Sequence, residues 1–211
     1  TDESSDITAG QSELDVTAQM KSLQDALNRR GESADVVRDG AGKIKVHYRV
    51  SRNPLVSIII PTKDRWDMLR QCIKSVESVT RYPSYEIVVV DNGSRTAKAK
   101  EYLSTLSKKW IIHRFPGPFN FSEINNYGAS KANGEFLLFL NDDTQVIAPE
   151  WMSAMVAQAQ RTGVGAVGAK LLYPSGMIQH AGVVLGIRGV AGHAFRHLRG
   201  DTQHYRGLPH M

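Results

Sequence analysis

The sequence is poor in cysteine, has no long apolar run and carries almost no acid near its end. Cys72 is the only cysteine among 211 residues. An intrachain disulfide is therefore excluded, and a reducing compartment fits. Met68, Leu69, Ile73 and Val76 surround Cys72 in sequence, which marks a buried structural thiol rather than a nucleophile. No segment approaches the roughly 18 to 20 apolar residues of a membrane-spanning helix, and no secretory leader is visible. A cytoplasmic protein is expected. There is no internal repeat, which excludes a solenoid. The chain starts at Thr1, so it reads as a processed or excised piece of something longer. After Glu150 the one carboxylate is Asp201.

The hydrophobic share of 41% and charged share of 22% are those of an ordinary globular protein. The net charge of +5 suits an anionic ligand. Basic and aromatic residues do not interleave on a recognisable module, so nucleic acid is not an expected partner. The start, to about residue 12, is polar and acidic and reads as disordered. Leu14, Ala18, Leu23 and Leu27 then give a helical stripe from Glu13 to Arg30, with Gly31 as its stop. Ile44, Val46, Tyr48 and Val50 alternate with polar residues, as in a half-exposed strand. Residues 1–53 form an N-terminal extension on this reading, and the main domain covers 54–211.

After Pro54 strands and helices alternate. Leu55–Ile60, Glu86–Val90, Trp110–His113 and Glu135–Leu140 read as strands. A helical run starting near Met68, the Ala97–Leu106 region and Phe121–Ala132 lie between them. Pro149–Arg161 follows as a helix and Val164–Tyr173 as a further strand region. This alternation predicts a doubly wound, mostly parallel α/β sheet with flanking helices. In such sheets ligands bind beyond the carboxyl ends of the strands. Pro61-Thr62-Lys63-Asp64-Arg65, Asp91-Asn92-Gly93-Ser94 and Asn141-Asp142-Asp143-Thr144 follow three of those ends. Each brings carboxylate to one rim. Adjacent carboxylates at Asp142 and Asp143 repel unless a cation sits there, and Mg²⁺ or Mn²⁺ takes oxygen ligands and shares them with phosphates.

Val56-Ser57-Ile58-Ile59-Ile60-Pro61-Thr62, Val88-Val89-Val90-Asp91-Asn92-Gly93-Ser94, and Asn126-Tyr127-Gly128 through Ala132-Asn133-Gly134-Glu135-Phe136 to Leu140-Asn141-Asp142-Asp143-Thr144 together resemble family 2 glycosyltransferases of the GT-A fold. Pro118-Phe119-Asn120-Phe121-Ser122 and Gln179-His180-Ala181-Gly182 resemble the bacterial, rhamnosyltransferase-like branch that builds surface polysaccharides. The resemblance implies an inverting, metal-dependent transfer of sugar from a nucleoside-diphosphate sugar. A glycan or lipid-linked glycan would be the acceptor. It places Pro61, Thr62, Asp64, Asp91 and Asn92 around base and ribose, and Asp142 toward the ribose or donor sugar. It makes Asp143 the leading ligand for Mg²⁺ or Mn²⁺, with Asp142 as a second and His193 as a further candidate. Asn141 stands at the first position of the Asp-x-Asp motif. Arg65 and Lys131 are candidate phosphate contacts. Work at the inner face of the membrane, with peripheral association of the full-length protein, goes with the lipid-linked acceptor.

Gly163-Val164-Gly165-Ala166-Val167-Gly168 matches a dinucleotide fingerprint in letters only, because a helix precedes it and a strand-like run follows. Inverting transfer also needs a base to take the acceptor's proton. In the family this acid lies well downstream of the metal motif, so it is expected past Met211; Asp201 is the weak candidate within the chain. The alternative reading is a non-catalytic nucleotide-sugar-binding or scaffold domain of a larger polysaccharide-assembly protein. A nucleotidyltransferase would need a glycine-rich loop after the first strand, and Pro61–Arg65 has none.

Overall fold

A computed structural model describes residues 3–40, 42–186 and 190–200, with no account of side chains before Glu13. The chain divides into two compact units, Thr1–Ala157 and Gln158–Met211. The residues expected to form a separate extension thus belong to the first unit.

Helix α1 covers Glu3–Arg29. It starts earlier than the sequence pattern suggested, and the polar start is helical rather than disordered. No proline interrupts these residues, so nothing in the backbone stops the helix from running on past its apolar stripe. Gly31 ends it in the left-handed region, at φ +67°. Strands β1 (Ala34–Arg38) and β2 (Ile44–Tyr48) form an antiparallel hairpin. The expected strand is β2; its partner β1 went unread.

The centre of the first unit is a parallel four-stranded sheet. Its strands are β3 (Val56–Thr62), β4 (Tyr85–Asp91), β5 (Ile111–Arg114) and β6 (Phe136–Phe139), in the order β5-β4-β3-β6. Helices α2 (Trp66–Val79), α3 (Ala97–Leu106) and α4 (Phe121–Ala129) make the crossovers, and α5 (Trp151–Ala159) follows β6. Both sheet faces are covered, which is why β3 and β4 are continuous apolar runs rather than alternating ones. Ile58, Ile60, Ile87 and Val89 pack with Leu69, Ile73 and Val76 of α2 and Met152 and Val156 of α5. Ile59, Val88 and Val90 pack on the other side with Ile124 of α4. Gly128 lets α4 approach closely: a Cβ there would lie 2.6 Å from Ile59 Cγ2.

Strands β3, β4 and β5 step in one direction, and β6 then joins the opposite side of β3. The chain therefore reverses its progress across the sheet beside β3, and a crevice opens there beyond the carboxyl ends.

The second unit holds short antiparallel pairs. Strand β7 (Leu171–Leu172) pairs with β8 (Ile178–His180), and β9 (Val183–Leu185) with β10 (Ala191–His193). The strand region expected over Val164–Tyr173 shrinks to Leu171–Leu172, and residues 164–170 have no ladder. Gly165 and Gly168 interrupt that stretch, and glycine weakens a strand interior. Among the described residues no helix follows the GxGxxG letters, so the dinucleotide fingerprint lacks its fold context. Asp201 lies outside the described residues.

Candidate functional site

The register of the sheet brings the strand-end motifs together. Thr62 at the end of β3 pairs with Asp91 at the end of β4, and Asp91 pairs with Arg114 at the end of β5. Leu140 continues β6 by bonding to Ile59 O, which delivers Asn141, Asp142 and Asp143 to the same rim.

Two loops are laced across this rim. Asp64 N–H donates to Ser94 Oγ at 2.9 Å, and Ser94 N–H donates to Asp91 Oδ1 at 2.8 Å. Asp64 Oδ1 accepts from the backbone N–H of Arg95 and Thr96, at 2.7 and 2.8 Å. These two donors, Thr96 foremost, hold the Asp64 carboxyl below the usual aspartate range. Asp64 adopts φ +59°, a left-handed conformation that aspartate tolerates better than most residues. Its carboxylate is thus a latch that fixes the approach to α3. Gly93, at φ +78°, allows the tight turn that folds Ser94 back onto Asp91.

Asp91 and Asn92 are both buried. Asp91 Oδ1 is taken by Ser94, and its other oxygen has no partner among the described residues. Asn92 Nδ2 donates to Gly117 O at 3.1 Å, while its Oδ1 is buried without a partner. A pocket of about 280 Å³ opens beside it, lined by Lys63, Asn92, Arg95, Arg114 and the Phe115–Phe119 loop. Lys63, Arg95 and Arg114 form no salt bridge among the described residues, so the pocket is cationic. Asn120 starts α4 as its cap, accepting from Ser122 and Glu123 N–H, which anchors the far end of that loop.

Asp142 is buried, and its Oδ2 accepts from Thr62 Oγ1 at 2.8 Å. Burial pushes its carboxyl above the usual aspartate range, and the charge of Asp143 adds to this; Thr62 and Arg65 act the other way without prevailing. Asp143 is half exposed, and Arg65 reaches both acids, at 3.4 and 3.5 Å. Cys72 lies beneath, buried, donating to Asn141 O at 3.6 Å. Burial first, then the nearby charges of Asp142 and Asp143, push its thiol up to about 12, so it is an inert structural thiol.

Pro61, Thr62, Asp64, Arg65, Asp91, Asn92, Asn141, Asp142 and Asp143 therefore share one rim. Lys131 does not. It follows α4, and Asn133 and Gly134 just after it bond to Glu86 and Ser57 near the amino ends of β4 and β3. A crossover helix returns the chain to the opposite end of a parallel sheet, so the expected phosphate contact at Lys131 is corrected. Its ammonium lies over the Tyr127 ring instead, at 5.5 Å. His193 belongs to the second unit, where its Nδ1 lies 3.0 Å from Nδ1 of His180. Among the described residues no three His, Cys, Asp or Glu side chains gather as a complete metal cluster. Sequence reasoning quoted Lys63, Ser94 and Pro118-Phe119 within motifs but gave them no role, and it passed over Arg95, Arg114 and Phe115; the signal available was position alone, since Lys63 follows β3, Arg114 ends β5 and Arg95 precedes the cap of α3.

The geometry agrees with the comparisons. The model of glycosyl transferase family 2 matches residues 57–206. The chain belongs to this family. It is 45% identical over 183 residues to the O-antigen biosynthesis protein RfbC of Myxococcus xanthus, covering 84% of this chain and 14% of that protein. It is 46% identical over 181 residues to the uncharacterized protein y4gI of Sinorhizobium fredii, covering 82% of this chain and 20% of the relative. This chain therefore spans only a small part of those relatives. A mannosyltransferase from Pyrobaculum calidifontis, solved in complex with GDP-Man and Mn²⁺, superimposes with a TM-score of 0.53 at 20% identity, over 59% of this chain and 37% of that one. The shared architecture is the GT-A fold of this family 2 domain. No helix among the described residues is long and apolar enough to cross a membrane.

Proposed function

We propose that the carboxyl rim of the sheet binds a nucleoside-diphosphate sugar, and that the protein uses it for sugar transfer with inversion in polysaccharide biosynthesis. The acceptor on this reading is a glycan or a lipid-linked glycan. The observation that carries the proposal is the meeting of Asp91, Asn92, Asp142 and Asp143 at the switch point of a family 2 sheet.

Asp91 and Asn92 are the base and ribose contacts. Asp91 offers a carboxylate oxygen to an imide N–H or a sugar hydroxyl, and Asn92 Oδ1, buried without a partner, is an acceptor for the same kind of donor. The cationic pocket beside them favours the charge of a nucleotide. Thr62 acts by orienting Asp142, and Asp64 by fixing the loop that carries Ser94. Arg65 lies close enough to the acid pair to meet a diphosphate bound against it.

The acid pair suits a hard divalent ion. Among the described residues, two adjacent carboxylates, one of them buried, have Arg65 alone as a cationic partner, at contacts longer than a normal charge-assisted hydrogen bond. Asp143, with Asp142, would hold Mg²⁺ or Mn²⁺, which when bound offsets charge on the diphosphate as the sugar leaves it. Remaining ligand positions would fall to phosphate oxygens and water, as is usual for such ions. The base that accepts the acceptor's proton is not assigned among the described residues.

The test is a titration with UDP, GDP and dTDP in Mn²⁺, read by thermal shift. At least one diphosphate should stabilise the chain, and Asp91→Ala should lose that shift while keeping its far-UV spectrum. If Asp91→Ala binds each nucleotide as the parent does, the pocket assignment is wrong.

A further inference from the structure

Arg65 has an unusual position for a surface arginine. Its backbone caps α2, yet its side chain makes no capping bond. The guanidinium instead turns back over the rim. Nη1 lies 3.4 Å from Asp142 Oδ1, and both Nη atoms lie 3.5 Å from Asp143 Oδ2. Nη2 also touches Met68 Sδ at 3.3 Å. Asp142 has only two oxygens, and Thr62 occupies Oδ2. Arg65 therefore covers the remaining oxygen of Asp142 together with one oxygen of Asp143.

A guanidinium cannot lose its proton at ordinary pH, so this counter-ion is permanent. Its contacts are loose, and its side chain is 48% exposed, so it can leave without unpacking the core. A divalent cation placed on Asp142 and Asp143 would be repelled by a guanidinium held on the same oxygens. A cation bridging Asp142 Oδ1 and Asp143 Oδ2 therefore displaces Arg65. Once displaced, the planar fork is free beside a bound diphosphate, which it can grip through two parallel hydrogen bonds.

We propose that Arg65 is a built-in competitor for the divalent cation, and that its release couples cation binding to diphosphate binding. This rests on the reading of Asp142 and Asp143 as cation ligands. Two consequences follow. Neutralising Arg65 strengthens binding of the cation alone. It also weakens the help that cation and diphosphate give each other, because coupling between two ligands is reciprocal.

The experiment measures Mn²⁺ binding to the full chain by electron paramagnetic resonance of free Mn²⁺, without nucleotide. Parent, Arg65→Gln, Arg65→Lys and Asp143→Ala are compared. Arg65→Gln should bind Mn²⁺ about two- to fivefold more tightly than the parent, in line with the loss of one partly exposed ion-pair partner. Arg65→Lys keeps the charge and should stay close to the parent. UDP, GDP and dTDP are then added in parallel, and whichever tightens Mn²⁺ binding should do so less in Arg65→Gln. The proposal is overturned alone if the parent binds Mn²⁺, Asp143→Ala does not, and Arg65→Gln binds it no more tightly than the parent. Absence of Mn²⁺ binding by both parent and Arg65→Gln, with and without nucleotide, overturns it together with the cation reading beneath it.

Discussion

The two ends of the central sheet both carry carboxylates, and they treat them in opposite ways. At the amino end Glu86 accepts from Ser57 Oγ at 2.6 Å, from Asn133 N–H at 2.7 Å and from Asn133 Nδ2 at 3.0 Å. Gly134 N–H completes the network by donating to Ser57 Oγ. Burial raises the Glu86 carboxyl, but the donors from Ser57 and Asn133 outweigh it, and the group sits below the usual glutamate range. At the carboxyl end burial wins at Asp142, and its carboxyl sits above the usual range. Glu86 is an acid whose charge the fold has already answered. Asp142 and Asp143 form a pair that meets, among the described residues, one hydroxyl donor from Thr62 and a loose arginine. A carboxylate serves structure in the first setting; on the proposed reading it holds a ligand in the second.

The largest effect should come from breaking the satisfied end. Glu86→Ala leaves the Ser57 hydroxyl without its acceptor and hands the exposed Asn133 donors to water, and should cost about 1–3 kcal/mol of stability, measured by urea unfolding. The sign with pH follows from the lowered carboxyl. Its contribution is complete above the usual glutamate value of 4.5 and is lost as pH falls below it. Glu86→Gln should flatten that acid limb. Equal stability of Glu86→Ala and parent would remove the contrast between the two ends.

The smaller effect runs the other way. Asp142 has a raised carboxyl, so the folded state holds its proton more tightly than the unfolded chain does. Its ionisation then costs stability as pH climbs above the usual aspartate value of 3.8. Asp142→Asn keeps an acceptor for Thr62 and removes the charge. It should raise the melting temperature at neutral pH by about 2–4 °C while reducing diphosphate binding in Mn²⁺. A lower melting temperature would mean that Asp142 is a structural acid like Glu86.

How much of this could be read from residues alone differs between the same two ends. The strands were legible because doubly covered strands are apolar throughout, and Ile58–Ile60 and Val88–Val90 have no polar interruption. Helix α2 was legible from Leu69, Cys72, Ile73 and Val76 at helical spacing. The carboxyl rim was legible in outline, since Asp64, Asp91 and Asp142 each follow a strand. Their division of labour was not: only the three-dimensional lacing shows that Asp64 latches a loop while Asp142 is buried with one hydroxyl and one loose arginine against it. Lys131 came from the family resemblance alone, and β6 carries the chain from one end of the sheet to the other between it and Asn141. Strand β1 was missed because Ala34–Arg38 carries little alternation, and its pairing with β2 is a contact between segments. Residues 164–170 read as a strand from Val164 and Val167, and a strand needs a partner that sequence periodicity does not supply.

The central claim is that the acid pair of the carboxyl rim binds a diphosphate through a divalent cation. It is tested most directly by calorimetric titration of the chain with UDP, GDP and dTDP, in Mn²⁺ and again in excess chelator, beside Asp143→Ala. The expected result is that chelation and Asp143→Ala each weaken the best-bound diphosphate by at least about tenfold, with no further loss when the two are combined. The same affinity in all of these conditions would contradict the claim.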